Sequence, residues 1–383
     1  MRVLSVVLFL FFFSLGGNQA LALDQELQPR KKPGGSAWRI GYIEGGHYND
    51  YPGVLRATVE RFAELDWIPQ KAKICARNAD KTRAIWDCLA SNPGEYLAFL
   101  PDAYWSADWK ADIRKANKTA FLERANQRKD IDLMLAFGTW GGLDLATNEH
   151  AVPTVVCSTS NAVASGIVKS PEDSGFDHVH ARVDPTRYER QVRLFHSIKP
   201  FKRLGVVYED TKEGKSYAGI GQISPLATEL GFQLILCAAS FSGTDLGAAQ
   251  EAVMRCHEQL APSVDAMYIT IHRGVNDKSM TRLLRPFFTH NVPTFAMGTL
   301  FEVNCGALMS MAQPSFTYAG DFYADTAARI LNGRKPRDIS QILPDPQDIR
   351  VNFVTAKRIG FDFPIALLSG AEEIVEETIS CGE

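Results

Sequence analysis

Several chemistries are excluded by what the chain does not contain. Seven cysteines in 383 residues are too sparse for a disulfide scaffold. C-x-x-C, H-E-x-x-H and clustered Cys/His spacings are all missing, so no built-in metal is expected. There is no G-x-S-x-G and no P-loop, which leaves hydrolase and nucleotide-enzyme readings without support, and no cofactor is expected. A basic excess is lacking too: 41 Lys and Arg against 44 Asp and Glu give a net charge of −3. A surface built to neutralise phosphates makes a domain basic, so no nucleic-acid partner is expected. Beyond the N-terminus no apolar run reaches the roughly 18 residues that a spanning helix needs.

The N-terminus is different. Arg2 precedes the apolar run Val3–Phe13, and Ala20-Leu21-Ala22 supplies small residues at −3 and −1. A positive start, a short apolar stretch and an A-x-A end read as a secretory signal peptide over 1–22, cut near Ala22. The protein is therefore expected to be periplasmic. Polar residues 23–37, with Pro, Gly and adjacent charges, read as a flexible leader. In an oxidising compartment two pairs are candidates for bridges, Cys75 with Cys88 and Cys237 with Cys256.

From Trp38 a strand-helix alternation begins. Residues 39–44, 132–137, 152–157, 203–208, 232–236, 266–270 and 294–297 read as strands, mostly continuous apolar runs of the kind covered on both faces. Helical spacing links Val54, Leu55, Val59, Phe62 and Leu65, and recurs at 185–197, 217–230, 245–260, 278–290 and 316–332. This order predicts an α/β fold with two doubly wound parallel-sheet lobes. Residues 171–184 carry no periodicity and read as a connection between halves. The stretch 72–131, with Trp86, Trp105 and Trp109, covers either one edge of the first lobe or one rim of a cleft.

Blocks along the chain then resemble a known family. Phe137-Gly138-Thr139, Val152–Val156 leading to Ser160-Asn161, Ser165–Ser170, Arg203–Tyr208, Val264–Tyr268, Val292–Ala296, Gly306–Leu308, Ala327–Pro336 and Val351–Gly360 occur in its order. They are similar to the tryptophan/tyrosine-type substrate-binding proteins of ABC importers, which have the type I periplasmic-binding fold. The resemblance implies two lobes joined by a three-strand hinge and a ligand held between them by hinge closure. On its pattern lobe one is 38–160 plus 300–334, and lobe two is 161–299 plus 335–365. The tail 366–383, with the acidic Glu372-Glu373 and Glu376-Glu377 read as a helix, has no counterpart.

Open parallel sheets bind ligands at the carboxyl ends of their strands. That rule selects Tyr48, Thr139, Trp140, Ser160, Asn161, Tyr208, Glu209, His272, Arg273, Gly298 and Thr299. Thr139 equally suits a helix cap, Ser160 and Asn161 a turn, and Glu209 a solvated loop. Tyr48 and Trp140 suit stacking on a planar solute. The resemblance places an acidic position at Asn161 and a short polar or acidic pair at His272-Arg273. A basic pair there favours an anion instead. The expected function is therefore an exported, monomeric, non-enzymatic protein. It captures an amino acid, aromatic acid or other small carboxylate and passes it to the membrane permease of an ABC importer. An alternative is a periplasmic module that senses a ligand for a membrane receptor. A remote alternative is a cofactor-free racemase-like enzyme using Cys157 and Cys305.

Overall fold

The computed structural model describes residues 25–298, 301–312, 315–377 and 381. The expected signal segment 1–22 and Thr299 lie outside them. Two sheets form. The first holds β1 (Trp38–Glu44), β2 (Leu97–Ser106), β3 (Leu133–Phe137), β4 (Thr154–Cys157) and β5 (Val179–Ala181), in the order β2-β1-β3-β4-β5. All its pairings are parallel. The second holds β6 (Arg203–Tyr208), β7 (Gln233–Ala238), β8 (Ala266–Ile269), β9 (Thr294–Ala296), β10 (Met309–Ala312), β11 (Asp348–Asn352) and β12 (Ala371–Val375). Their order is β12-β11-β10-β9-β8-β6-β7.

Every residue of β3, β4, β8 and β9 is buried, which is why these segments read as unbroken apolar runs. Helix Asp50–Glu64 buries Val54, Leu55, Val59 and Phe62 against the first sheet, with Asp50 in its first turn and Arg61 in its last. Helix Thr317–Leu331 packs across it. Gly320 permits that approach, because a Cβ there would stand 2.5 Å from a backbone carbon of Ala57.

The chain crosses between lobes three times. It leaves lobe one after β5, returns between β10 and helix Thr317–Leu331, and leaves again ahead of β11. Two of the crossings pair with each other. Val183 N–H donates to the Gln341 carbonyl at 2.8 Å, and Leu343 N–H donates to the Val183 carbonyl at 3.1 Å. These crossings also explain the antiparallel pairing of β10 with β11. β10 ends at the hinge and β11 starts there, so the two must run in opposite directions.

Several boundaries differ from the expectation. β5 keeps lobe one going to Ala181, past 160; three residues with a histidine in the middle carry too little pattern to read as a strand. His180 is fully buried, its Nε2 3.0 Å from the Ser340 carbonyl. The second sheet also claims β10, so lobe two extends past 299 to Ala312. The tail is not an acidic helix. It forms β12, parallel to β11, with Glu372 and Ile374 exposed on one face and Val375 buried on the other. The leader is tied down instead of loose. The Trp67 indole N–H donates to the Leu27 carbonyl at 2.8 Å, and Lys32 pairs with Asp132 at 2.6 Å. The stretch 72–131 does both jobs offered to it. It supplies edge strand β2, and its Trp109 reaches the cleft.

Three disulfides close the structure: Cys75–Cys88, Cys237–Cys256 and Cys305–Cys381, with Cα separations of 5.7, 5.6 and 5.5 Å. Both candidate pairs form, and Cys305 reaches the tail. The two-thiol enzyme reading is thereby overturned. Cys305 has no free sulfur, and burial pushes the remaining Cys157 thiol far above its usual pKa.

Candidate ligand site

Between the lobes lies a cavity of about 350 Å³, within the range that holds small ligands. Its walls come from the carboxyl ends of strands in both sheets. Tyr48, Asn49 and Asp50 follow β1, and Ser158–Ser160 follow β4. Ile271 and Asp277 follow β8, and Gly298 and Phe301 follow β9. The hinge contributes Arg182 and Arg187, and helix Thr317–Leu331 contributes Tyr323 beside Phe316. A smaller recess of about 60 Å³ shares Tyr48, Ser158, Ser160 and Ile271 with it, and is walled by Tyr51, Trp109, Tyr217 and Phe241.

Aromatic groups dominate the recess. Tyr48 and Tyr51 pack at 5.4 Å from lobe one, and Tyr217 and Phe241 at 6.0 Å from lobe two. Trp109 lies on the glycine turn after β1, its indole N–H donating to the His47 carbonyl at 3.0 Å. Only glycine fits under it at 46, where φ is +152° and a Cβ would stand 2.7 Å from the indole.

The charged groups are distributed unevenly. Asp345, buried on the third crossing, pairs with Arg182 and with Arg187, the latter at 3.0 Å. Beside it, Asp184 pairs with Arg190 at 2.7 Å. Both cavity arginines are thus held by a hinge carboxylate. Asp50 makes no ion pair or side-chain hydrogen bond among the described residues. Burial lifts its pKa to about 6 against the opposing pull of Arg187.

Of the expected site residues, Tyr48 and Ser160 line both spaces, Gly298 the larger, and Thr139, His272 and Arg273 the recess. Other expected residues have structural roles. Asn161 caps helix Ala162–Ser165, its Oδ1 accepting from Ala164 N–H at 2.9 Å. Trp140 stacks edge-on against Trp109 at 5.5 Å and carries the Arg114 guanidinium on its face; it lines neither space. Tyr208 packs at the margin of the second lobe's core. Glu209 is buried and used up: its carboxylate accepts from Phe241 N–H, Ser242 N–H, the Ser242 hydroxyl and the Thr211 hydroxyl. It holds the loop after β7.

The basic pair also changes character. His272 is buried against Phe241, with Nε2 3.0 Å from the Ala239 carbonyl and Nδ1 accepting from Gly274 N–H at 2.9 Å. That pattern fixes a neutral imidazole, and burial lowers its pKa further. Only Arg273 brings charge to the recess. Its Nη1 donates to the Thr244 carbonyl at 2.7 Å, and it forms no ion pair among the described residues.

The lobes also touch beside the cavity. The Tyr188 hydroxyl donates to the Ser160 carbonyl at 2.8 Å, the Ser216 hydroxyl to the Asn161 carbonyl at 3.2 Å, and Thr139 hydrogen-bonds Tyr217. The Tyr217 hydroxyl is pushed up to about 12 by burial, an effect the Thr139 bond opposes. Asp50, Arg187, Trp109, Tyr217 and Phe241 were missed by sequence reasoning. For Asp50 and Arg187 a signal existed, since each opens a helix directly after a strand or a crossing. Trp109 stands three residues after β2, a strand that the apolar pattern does not reveal, and Tyr217 lies nine residues beyond the end of β6.

A family model of ABC transporter substrate binding proteins matches residues 106–375, more than half of the chain. The chain belongs to this family. No curated protein matches it. Among solved structures, the substrate-binding protein is similar to a conserved domain protein from Vibrio cholerae at 19% identity and a TM-score of 0.65; the match covers 88% of this chain and 100% of that one. An ABC domain in complex with L-Trp from Streptococcus pneumonia matches at 15% identity and a TM-score of 0.67, over 89% and 100% of the chains. A ligand-free, open substrate binding protein with adhesive properties from Clostridium difficile matches at 18% and 0.59, over 89% and 100%. Such low identities establish a shared type I periplasmic-binding fold. Among the described residues, no helix is long and apolar enough to cross a membrane.

Proposed function

We propose that this substrate-binding protein is exported, closes about its three-strand hinge on one small organic solute, and delivers that solute to the permease of an ABC importer. The observation that carries the reading is the cavity itself, walled by strand ends of both sheets and by hinge residues. A solute touching both lobes makes contacts that exist only when they are together, and so favours the closed form. Three disulfides support export, because they persist in oxidising compartments. The aromatic walls suit a planar solute, and Arg273 suits an acid group on it. An amino acid, an aromatic acid or another small carboxylate fits that description. The L-Trp bound by the Streptococcus pneumonia relative is a natural first probe.

The mechanism is capture by a monomer, without chemistry. Calorimetry of ligand-stripped protein against pools of amino acids, aromatic acids and short carboxylates should show saturable binding with no turnover. Formation of a product overturns the reading.

A further inference from the structure

We infer that Trp109 is a displaceable wall of the ligand site, a gate that sets how large a flat ring the site admits. This deepens the proposed capture of a solute between the lobes and rests on that reading. Volume carries the first step. The recess measures about 60 Å³, whereas a dry cavity that takes one benzene ring measures roughly 150 Å³. A solute's ring therefore enters the recess only if a wall moves. Most of the walls are fixed. Tyr51 is buried with its hydroxyl against Gly138, where a Cβ would collide with it. Phe241 is buried and its N–H is held by Glu209, and Tyr217 hydrogen-bonds Thr139 across the lobes.

Trp109 is held differently. It stands on a rim between Asp108 and Lys110, both exposed. Its φ is +60° and that of Asp108 is +49°, two successive left-handed residues of which neither is glycine. A bulky side chain rarely adopts that conformation, which persists only where the surroundings enforce it. The enforcing contacts here are few. Trp109 N–H donates to the Gly45 carbonyl at 2.8 Å, and the indole N–H to the His47 carbonyl at 3.0 Å. Both acceptors belong to the glycine turn after β1. Relaxation of the strained loop offsets part of the cost of breaking these two bonds, so this wall yields before the others. Moving the indole uncovers Trp140, which is fixed from behind by Arg114, itself paired with Asp144 at 2.9 Å. The enlarged recess thus keeps an aromatic wall. His47 adjoins Tyr48, which lines both spaces, so the displacement reaches the larger cavity as well.

The experiment is surface plasmon resonance on the full mature protein with two probe series, each of one head group and growing ring size. One is L-alanine, L-phenylalanine and L-tryptophan; the other is acetate, benzoate and 2-naphthoate. Solutes retained in equilibrium dialysis against a mixed metabolite pool are run beside them. On the wild type, uptake of ring-bearing solutes should level off at high concentration, the mark of a conformational step that limits entry. Trp109→Ala should remove that plateau and speed two-ring solutes at least tenfold, while ring-free solutes change less than twofold. Trp109→Phe keeps a ring but loses the indole N–H, so it should raise the plateau without altering the preference between one ring and two. Unchanged melting temperatures exclude misfolding as the cause. Uptake rates equal in the three proteins, or an equal acceleration of ring-free and ring-bearing solutes, overturns the gate and leaves solute capture standing. So does binding confined to ring-free solutes in wild type and Trp109→Ala alike. Binding of nothing by the wild type overturns both.

Discussion

The fate of Glu209 shows how little a residue's place in sequence says about its work. It follows a strand at a cleft-facing end, where a ligand contact is expected, yet its carboxylate is fully used in holding Phe241 and Ser242. Replacing it with Ala should leave two backbone N–H groups without acceptors and cost about 2–4 kcal/mol in urea unfolding. A change under half that would mean that the loop after β7 is held by something else. Arg273 has the opposite character. Its guanidinium donates to a carbonyl and has Asp245 within electrostatic reach but forms no ion pair among the described residues, beside the aromatic recess. Arg273→Ala should weaken an acid-bearing solute by about 2 kcal/mol in calorimetry, more than the ~0.5 kcal/mol expected of a surface charge. Unchanged affinity would remove Arg273 from the site.

At the scale of elements, the long buried strands and amphipathic helices were legible because their periodicity follows from what covers them. β3, β6 and β8 and the helices around 187–198, 246–260 and 317–331 fall where the apolar spacing puts them. The short pieces were not. β5 is three residues with a polar centre, and β12 buries a single large apolar residue, Val375, after two glutamates and an outward Ile374. The site was half legible for the same reason. Strand-end loops are local features, so Tyr48, Ser160 and Arg273 could be named. Which side chains were already committed, as with Asn161 and Trp140, depends on partners far away in sequence. The Cys305–Cys381 bridge is the element-scale test. It spans 76 residues and ties the tail to the second lobe. Cys381→Ser should lower stability by up to about 4.5 kcal/mol on loop-entropy grounds. It should also expose the β12 amides to hydrogen exchange before those of β8. Equal protection of the two strands would show that the tail holds without the bridge.

Across the whole molecule, stability should depend on pH through buried neutral histidines. His150, His180 and His257 are lowered from 6.5 to about 4, each mainly by burial. The unfolded chain takes up these protons first as pH falls, so stability is full above about 6.5 and is lost between about 6.5 and 4. Each group contributes on the order of 3 kcal/mol to that loss. Urea midpoints should therefore decline steadily through this window, and a flat profile would show that these rings find charged-state partners on protonation. His180 bonds to the Ser340 carbonyl beside the third crossing, so acid should loosen the hinge as well as the lobes.

The central claim is that the two lobes hold a solute in the gap between them. A crystal structure of the protein purified from its own source tests it most directly. Density for one small molecule between Tyr48 and Asp50 on one side and Arg187 and Ile271 on the other is the predicted result. A gap filled by the protein's own side chains, or a solute seated elsewhere, would contradict it.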